Sequence, residues 1–371
     1  MVSVAGSGGR RSIDRTVSRL HDPASASHAG ASAVADVLSD VLRSLHLTGA
    51  MLFLVDATAP FQSWAPQADA IRRVALPTSQ HLISYHIVTS GRCWGALRGE
   101  APQPLEPGDV FVVPHGDAYC LADPPDAPAS YGSEEAMAFF RGMAAGDVPS
   151  AIREGGNGTA DDRSGPSAQF ICGFLGCDLR PFNPVLTTLP RVLLVRAGAD
   201  PGDRLRHLVA FALGELGSRS SGSRDVLQRL AELMFVEVVR RHLETVPAGE
   251  ASWLAGLNDP LVARVLALLH AEPARHWTLE DLAAAAATSR TVLAERFSHY
   301  VGQPPIQYLT RWRLQLAARM LDEAQAKVAA VAAAVGYESE GAFSRAFKKS
   351  TGLPPARWRE RHLVASSAPS L

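Results

Sequence analysis

Cys172 and Cys177 form a C-x4-C pair, a spacing that could serve a redox switch or, with a third ligand, a soft metal ion. If this segment is a strand, alternation places the two thiols on opposite faces, which argues against a direct disulfide. Two small residues buried in a core explain the pair as well, and we favour that interpretation. Cys93 and Cys120 fall in predicted strands. Four cysteines in 371 residues do not make a disulfide framework.

Polar side chains with the chemistry to contact a duplex lie on the outer faces of two short predicted helices. In the first helix, Leu293, Phe297 and Tyr300 recur at helical spacing and are expected to face inward. In the second helix, Phe343 and Phe347 are expected to do the same. The residues left outside are Arg290, Thr291, Ala294, Glu295 and Ser298 in the first, and Glu340, Gly341, Ser344, Arg345 and Lys348 in the second.

Each of these helices follows another short helix across a turn. Thr278 with Asp281 predicts a capping box at the start of the first pair, and Ser289 is expected to cap its second helix. In the second pair, Gly336 predicts the turn and Ser339 the cap. Cap and inward residues have the same spacing in both pairs: Ser289, Leu293, Phe297 and Ser339, Phe343, Phe347. The two pairs are therefore predicted to be copies of one helix-turn-helix unit.

A predicted helix from Pro305 to Glu323 joins the two units. Its 19 residues would span about 28 Å at 1.5 Å per residue. Two recognition helices held about 34 Å apart would enter successive major-groove turns on one face of DNA. One chain would then read two adjacent half-turns without a dimer.

The rest of the chain divides by composition. Residues 1–30 predict a disordered arm, and residues 31–198 a domain of short strands typical of a sandwich or barrel. Within it, residues 123–165 predict a long flexible loop. A helical pair is predicted over residues 200–247, with helices at about 202–216 and 224–243; it would either mediate dimerisation or only cover the barrel. Residues 257–363 predict an all-helical domain, and residues 364–371 a tail.

Charge is unevenly placed along the chain. The formal net charge is −1, but residues 257–363 hold fourteen Lys and Arg against ten Asp and Glu, a local charge of +4. A positive module favours binding to a duplex, although a mildly basic helical domain would carry the same charge. The sequence contains no run of about 18 apolar residues and no secretory signal, so we expect a cytoplasmic protein that does not enter a membrane.

Residues 277–359 resemble the DNA-binding domain of the AraC/XylS family. The matching segments are SRTVLAERF, the Arg311–Leu314 and Ala317–Leu321 stretches of the joining helix, VGYESEGAFSRAFKK and TGLPPARWR. The resemblance implies that the outward residues of both recognition helices meet base edges. These positions are Arg290, Thr291, Ala294 and Glu295, followed by Glu340, Gly341, Ser344 and Arg345.

Individual roles follow from these positions. Arg345 could bond a guanine with two parallel hydrogen bonds. Glu295 departs from the family, where an arginine is frequent. It would either accept from cytosine N4 or pair with a nearby arginine, and we favour the pair. Arg296, Lys348 and Lys349 are candidates for phosphate contacts, Lys349 being the weakest.

Residues 32–197 resemble a cupin barrel of the form fused to AraC-type domains. The likeness rests on ISYHIVTSGRCWGALRGE, LEPGDVFVVPHGDAY and CGFLGCDLRPFNPVLTTLP. Metal-binding cupins use about three His and one Glu, but here the first motif offers only His86, and Tyr119 stands where a second histidine is usual. We therefore expect no metal and no cofactor, and His86 to be a pocket or core residue. The missing ligands make a cupin enzyme, a dioxygenase or isomerase, the weaker alternative.

Together these features predict a multidomain, one-component transcription regulator that is not an enzyme. A cupin-like β-barrel would sense a small effector or a redox change, with His86, Tyr119, Cys172 and Cys177 as the candidate residues. A helical linker would follow, and an all-α double helix-turn-helix domain would bind promoter DNA. Further expected partners are RNA polymerase, if the protein is an activator, and a second copy of the chain.

Overall fold

The computed structural model describes residues 36–45, 47–130, 133–145, 151–155, 167–178, 182–198, 200, 202–218, 220–247, 249–322 and 326–366. The predicted arm at residues 1–30 lies outside the described residues. Of the predicted tail, residues 367–371 also lie outside them, whereas residues 364–366 belong to the last helix. Among the described helices, none is long and apolar enough to cross a membrane.

Residues 36–198, here called the sheet region, contain ten described strands and four described helices. The strands are β1 Leu47–Thr58, β2 Phe61–Ala65, β3 His81–Gly91, β4 Cys93–Leu97, β5 Gln103–Leu105, β6 Val110–Val113, β7 Tyr119–Asp123, β8 Ala151–Gly155, β9 Ala168–Cys177 and β10 Leu193–Val195. The helices are α1 Val37–Ser44, α2 Ala68–Ala75, α3 Ser133–Ala144 and α4 Pro184–Thr188.

The strands form two sheets that face each other across a shared core. One sheet has six strands in the order β10-β6-β3-β9-β1-β8, and the other has four in the order β2-β7-β4-β5. Inward residues of both sheets, such as Phe53, Phe61 and Phe170, belong to one buried cluster. The outward side of the larger sheet is also covered, because Tyr85 and Leu175 are buried against helices. Burial on both faces explains why the central strands read as nearly continuous apolar runs.

The prediction of a flexible loop over residues 123–165 is wrong in part. Helix α3 lies within this stretch, and β8 pairs in parallel with β1 at one edge of the larger sheet. Glu134 and Glu135 in the first turn of α3 complement the helix dipole. The loop was predicted from the Pro, Gly and Asp residues on either side of α3, and this composition outweighed the helical spacing within it. Residues 131–132, 146–150 and 156–166 lie outside the described residues.

Two further helices, α5 Arg204–Gly217 and α6 Ser223–Thr245, confirm the predicted helical pair. They pack against each other, and α6 packs on β1 of the larger sheet. Met234, Phe235 and Val239 of α6 are buried in this contact. The pair therefore covers the outer face of the sheet, which was one of the two predicted roles. Phe211 and Leu233 remain exposed on the outside of the pair.

Residues 253–366, here called the helical module, contain eight described helices. They are α7 Trp253–Asn258, α8 Pro260–Ala271, α9 Leu279–Ala285, α10 Arg290–Val301, α11 Pro305–Leu321, α12 Val328–Ala334, α13 Glu340–Thr351 and α14 Pro355–Ser366. We call α9 with α10 the first helix pair and α12 with α13 the second helix pair. The joining helix α11 ends two residues before the predicted Glu323, which itself lies outside the described residues.

Candidate functional site

The first helix pair is capped as the sequence predicts. Thr278 and Asp281 form the capping box of α9. The hydroxyl of Ser289 accepts a hydrogen bond from the amide of Val292 at 3.2 Å and caps α10. Leu293 and Phe297 are fully buried. This arrangement leaves the opposite face of α10 in solvent, where four of the predicted residues are exposed and one is half-buried: Arg290, Thr291, Glu295 and Arg296, and Ala294.

The second helix pair repeats this arrangement. Ser339 caps α13 by accepting from the amide of Ala342 at 3.2 Å. Phe343 and Phe347 are fully buried. The predicted contact residues again occupy the outer face, four of them exposed and one half-buried: Glu340, Gly341, Arg345 and Lys348, and Ser344.

Ion pairs distinguish the cations of the two helices. Arg290 of α10 pairs with Glu280. The guanidinium of Arg296 lies 2.6 Å from a carboxylate oxygen of Asp259. The buried carboxylate of Asp259 also caps α8. In the second pair, Arg345 and Lys348 form no ion pair with any described residue. The cations of the second pair are therefore not engaged by carboxylates of the described residues, whereas Arg290 and Arg296 of the first pair are.

Glu295 does not make the expected pair with an arginine within the described part of the chain. Its carboxylate lies exposed on α10. Both predicted roles of Glu295, a pair with a nearby arginine and acceptance from cytosine N4, stay predictions.

A second candidate site is a cavity of about 210 Å³ between the two sheets. Its polar floor consists of His86 on β3, Tyr119 on β7 and Cys172 on β9. Helix α3 supplies one wall through Ala136, Phe139 and Phe140. The aromatic lining as a whole is Phe53, Trp64, Phe139, Phe140, Phe170 and Phe174.

Three of the four predicted sensor residues meet in this floor. The Nε2 atom of His86 lies 2.6 Å from the Tyr119 hydroxyl, and its Nδ1 atom lies 3.0 Å from the Cys172 sulfur. Burial lowers the pKa of His86 to about 3, so the imidazole is neutral at physiological pH. A neutral imidazole donates from one nitrogen and accepts at the other. His86 thus joins a hydroxyl and a thiol in one uncharged chain of hydrogen bonds.

Cys177, the fourth predicted residue, lies apart from this cluster. Cys172 faces the cavity, whereas Cys177 belongs to the core on the opposite side of β9. Burial raises the pKa of Cys172, and it raises the pKa of Cys177 to about 12. Both thiols are therefore protonated, which makes them poor nucleophiles. The prediction that alternation separates the two cysteines is confirmed, and a direct disulfide is sterically excluded.

The donor set does not fit a cupin metal centre. His86 is the one histidine that lines the cavity, and no group of three His, Cys, Asp or Glu among the described residues could hold a metal ion. Tyr119, at the position where the resemblance places a second histidine, hydrogen-bonds His86 instead.

Sequence reasoning missed the part of the cavity built by α3 and β2. Ala136, Phe139 and Phe140 come from the stretch that was expected to be a loop, and Trp64 comes from an unpredicted strand. The helical spacing of Ala136, Phe140 and Met143 was an available signal, because these three residues are the buried ones of α3.

Comparison with known proteins gives this geometry a context. Residues 36–244 match the family described as Cupin, and residues 282–361 match the family described as Helix-turn-helix domain. An AraC-like transcription regulator of Streptomyces lividans is 36% identical over 299 residues, which cover 80% of this chain and 90% of that protein. A second AraC-like transcription regulator, from Streptomyces antibioticus, is 37% identical over 295 residues, 77% of this chain and 95% of the relative.

Among solved structures, the DNA-binding domain of AdpA in complex with a target DNA is 32% identical. It covers 29% of this chain and 95% of its own, with a TM-score of 0.27. A cupin domain ahead of a helix-turn-helix domain defines the class of protein as a DNA-binding transcription regulator. The chain belongs to the family of AraC-like transcription regulators.

Proposed function

We propose that both helix pairs act as helix-turn-helix units and that one chain binds two neighbouring major-groove segments of promoter DNA. The observation that supports this most is the repeated geometry. Each recognition helix begins at a serine cap, buries two residues and presents a polar outer face, and α11 joins the two pairs. In this proposal the DNA-binding domain extends over residues 257–363.

Base contacts are assigned to the outer residues of α10 and α13. Arg345 carries the strongest assignment, because its exposed guanidinium can bond guanine O6 and N7 together. Glu295 accepts from cytosine N4. Lys348 contacts a phosphate, as does the exposed half of Arg296 that Asp259 leaves accessible. The remaining proposed contacts are Arg290, Thr291, Ala294, Glu340, Gly341 and Ser344.

The cupin domain, residues 31–198, is proposed to bind a small effector in the cavity floored by His86, Tyr119 and Cys172. Effector binding then shifts the protein between two conformations that differ in DNA affinity. The protonated state of the buried thiols weighs against the redox signal that we also considered. Since the cavity presents a single histidine, we propose no metal-dependent catalysis.

The proposed setting is the cytoplasm. Expected partners besides DNA are RNA polymerase, if the protein is an activator, and a second copy of the chain. The helical pair at residues 200–247 covers the sheet, and its exposed Phe211 and Leu233 are the apolar residues that a dimer contact could use.

The test is selection of bound duplexes from a random library by the full chain at a stated salt concentration. We expect enrichment of two boxes about one helical turn apart. Arg345→Ala should weaken binding by about 1–3 kcal/mol and relax preference at one base pair. Lys349→Ala, a neighbouring cation with the weakest assignment, is the matched control and should keep the preference. Equal selectivity of wild type and Arg345→Ala would refute the assignment.

A further inference from the structure

The size and lining of the cavity between the sheets restrict what it can bind. A cavity of roughly 150 Å³ lined by apolar residues holds a benzene molecule, and this one measures about 210 Å³. Its rings meet edge to face, with centroids 5.4 Å apart for Phe140 and Phe174 and 5.2 Å apart for Phe53 and Phe139. Such a wall accommodates another aromatic ring in the same arrangement.

The polar floor is uncharged. His86 is neutral, the Cys172 thiol that it joins is protonated, and its other partner is the hydroxyl of Tyr119. An anionic ligand group placed on this floor would lose its hydration without meeting a cation, because Arg153 of the lining is exposed to solvent. The carboxylates of the lining are Glu135, which is exposed, and Glu154, which is half-buried and acts electrostatically on Cys172. They add negative charge and disfavour an anion further.

We propose that the cavity binds a neutral aromatic molecule of one ring or two fused rings that carries a single hydroxyl or N–H group. This inference rests on the proposed effector function and names its ligand class. The ring packs among the phenylalanines, and the polar group bonds the floor.

The test uses three probes of similar size with the full chain: p-cresol and indole, which are neutral, and benzoate, which is an anion. Calorimetry should show that the neutral probes bind at least tenfold more tightly than benzoate. Ala136→Leu fills the cavity from α3 and should abolish binding. Ala138→Leu makes the same change at an exposed position of α3 and should leave binding unchanged.

Three outcomes would overturn this ligand class. They are tighter binding of benzoate than of the neutral probes, no binding of any probe, and equal behaviour of the two alanine variants. The DNA selection described above is independent of the probes, so a failure here is distinct from a failure of the regulator assignment.

A separate observation concerns how the cavity is connected to the helical module. Gln315 lies in the middle of α11 and is completely buried. Its Nε2 donates to the carbonyl of Ser44 at 3.2 Å, and its Oε1 accepts from the amide of Phe182 at 3.1 Å. A side chain of the helical module thus bonds two backbone groups of the sheet region. A buried amide that lost these partners would pay a desolvation penalty, so the contact is specific.

Both partners of Gln315 adjoin strands that line the cavity. Ser44 ends α1, just before β1, and Phe182 follows β9. The two strands are hydrogen-bonded neighbours, with Leu47 opposite Cys177 at the end near Gln315. At the cavity they supply Phe53 and Val55 from β1 and Phe170, Cys172 and Phe174 from β9.

The cavity and the junction at Gln315 lie close together along β9. Cys172 at the cavity and Cys177 at the near end are five residues apart, which is about 17 Å along a strand. Two further contacts lie at the same junction. The guanidinium of Arg311 lies 4.3 Å from the ring centre of Phe182, and His270 Nδ1 lies 3.5 Å from a carboxylate oxygen of Asp40.

We infer that Gln315 is the positioning residue through which the state of the cavity reaches the recognition helices. Displacement of β1 and β9 at the cavity moves Ser44 and Phe182 and, through Gln315, the helix that joins the two helix pairs. This inference also rests on the proposed function.

The test is a double-mutant cycle on DNA affinity in the full chain. Ala136→Leu serves as a fixed occupant of the cavity and should change the Kd for the selected duplex at least threefold. Gln315→Met keeps the side-chain length and removes both hydrogen bonds, so the Ala136→Leu effect should disappear in that background. Gln307→Met makes the same change on the exposed face of α11 and should preserve the effect.

A second variant guards against misfolding of Gln315→Met. Phe182→Leu removes the ring beneath Arg311 at the same junction and should reduce the Ala136→Leu effect in the same direction. An unchanged Ala136→Leu effect in the Gln315→Met background would overturn the inference, as would the absence of that effect in the wild type. Failure of the wild type to bind any duplex would instead refute the proposed function.

Discussion

The first helix pair packs into a core that continues into the sheet region, whereas the second helix pair has a core of its own. Leu282, Leu293 and Phe297 belong to the same buried cluster as residues of α6 and the larger sheet. Phe343 and Phe347 belong to a cluster confined to residues 314–358. Two helix pairs with caps and buried residues at the same spacing thus have different neighbours. If both pairs bind DNA as proposed, the first pair is the one whose core is shared with the sheet region.

The largest expected effect of this difference is on stability. Phe343→Ala should cost about 3–5 kcal/mol, and the loss should stay within the second helix pair. Phe297→Ala should cost a similar amount but loosen a core shared with the sheet region. Hydrogen exchange resolved by peptide would show faster exchange in α12 and α13 but not in α6 for Phe343→Ala, and in α10 together with α6 for Phe297→Ala. Equal loosening of α6 by both variants would contradict this prediction.

The turns of the two helix pairs should also differ in their tolerance of substitution. Gly336 has φ of +81°, and an added Cβ would lie 2.5 Å from the carbonyl oxygen of Ala274. Gly336→Ala should therefore destabilise the protein by about 1–3 kcal/mol. The first turn has Ala287 at φ of +53°, so Ala287→Gly relieves strain while it adds chain entropy. Its effect should lie within about 1 kcal/mol of zero. Denaturant melts of both variants would measure this, and a harmless Gly336→Ala would contradict it.

The two helix pairs should also differ in how their cations contribute to the salt dependence of DNA binding. Lys348 makes no ion pair with a described residue, whereas Arg290 is paired with Glu280. Lys348→Ala should make the negative slope of log K against log salt less steep by about 1. Arg290→Ala should reduce the steepness less, because Glu280 already pairs with that cation. A titration series in KCl would decide, and a larger loss for Arg290→Ala would reverse the assignment.

The smallest expected effect is a difference in acid sensitivity. Hydrogen bonds from Thr278, the N-cap residue of α9, lower the pKa of Asp281, whose carboxylate completes the capping box. A carboxylate whose pKa is lowered by folding stabilises the protein above its ordinary value of 3.8. That contribution is lost as the pH falls through the folded value. The N-cap residue of α12, Lys327, makes no side-chain capping hydrogen bond.

Acid should therefore loosen α9 before α12, which hydrogen exchange between pH 5 and pH 3 would detect. Asp281→Asn should remove this difference. A persistent difference in that variant would show that another group is responsible.

The sequence predicted the helical module well because its signals are local. Each serine cap lies eight residues before an inward phenylalanine, Ser289 before Phe297 and Ser339 before Phe347, which is about two turns of one helix. The capping box at Thr278 is likewise a contact between residues three positions apart. Such features need no knowledge of the rest of the chain.

The cavity and the junction could be predicted only in part, because they depend on pairing between distant segments. His86 and Cys172 are 86 residues apart and meet only because β3 pairs with β9. Strand β8 depends on an edge of β1, and Gln315 gives no sign in the sequence that its partners lie more than 130 residues away. Alternation along β9 nevertheless separated Cys172 from Cys177 correctly.

The most direct test of the account is a hydroxyl-radical footprint of the full chain on its selected duplex. Binding by both helix pairs predicts two protected patches on one face of the DNA, about one helical turn apart. Arg345→Ala should weaken one patch and leave the other. A single protected patch in the wild type, or equal loss of both patches in the variant, would contradict the claim that the two pairs read DNA as separate units.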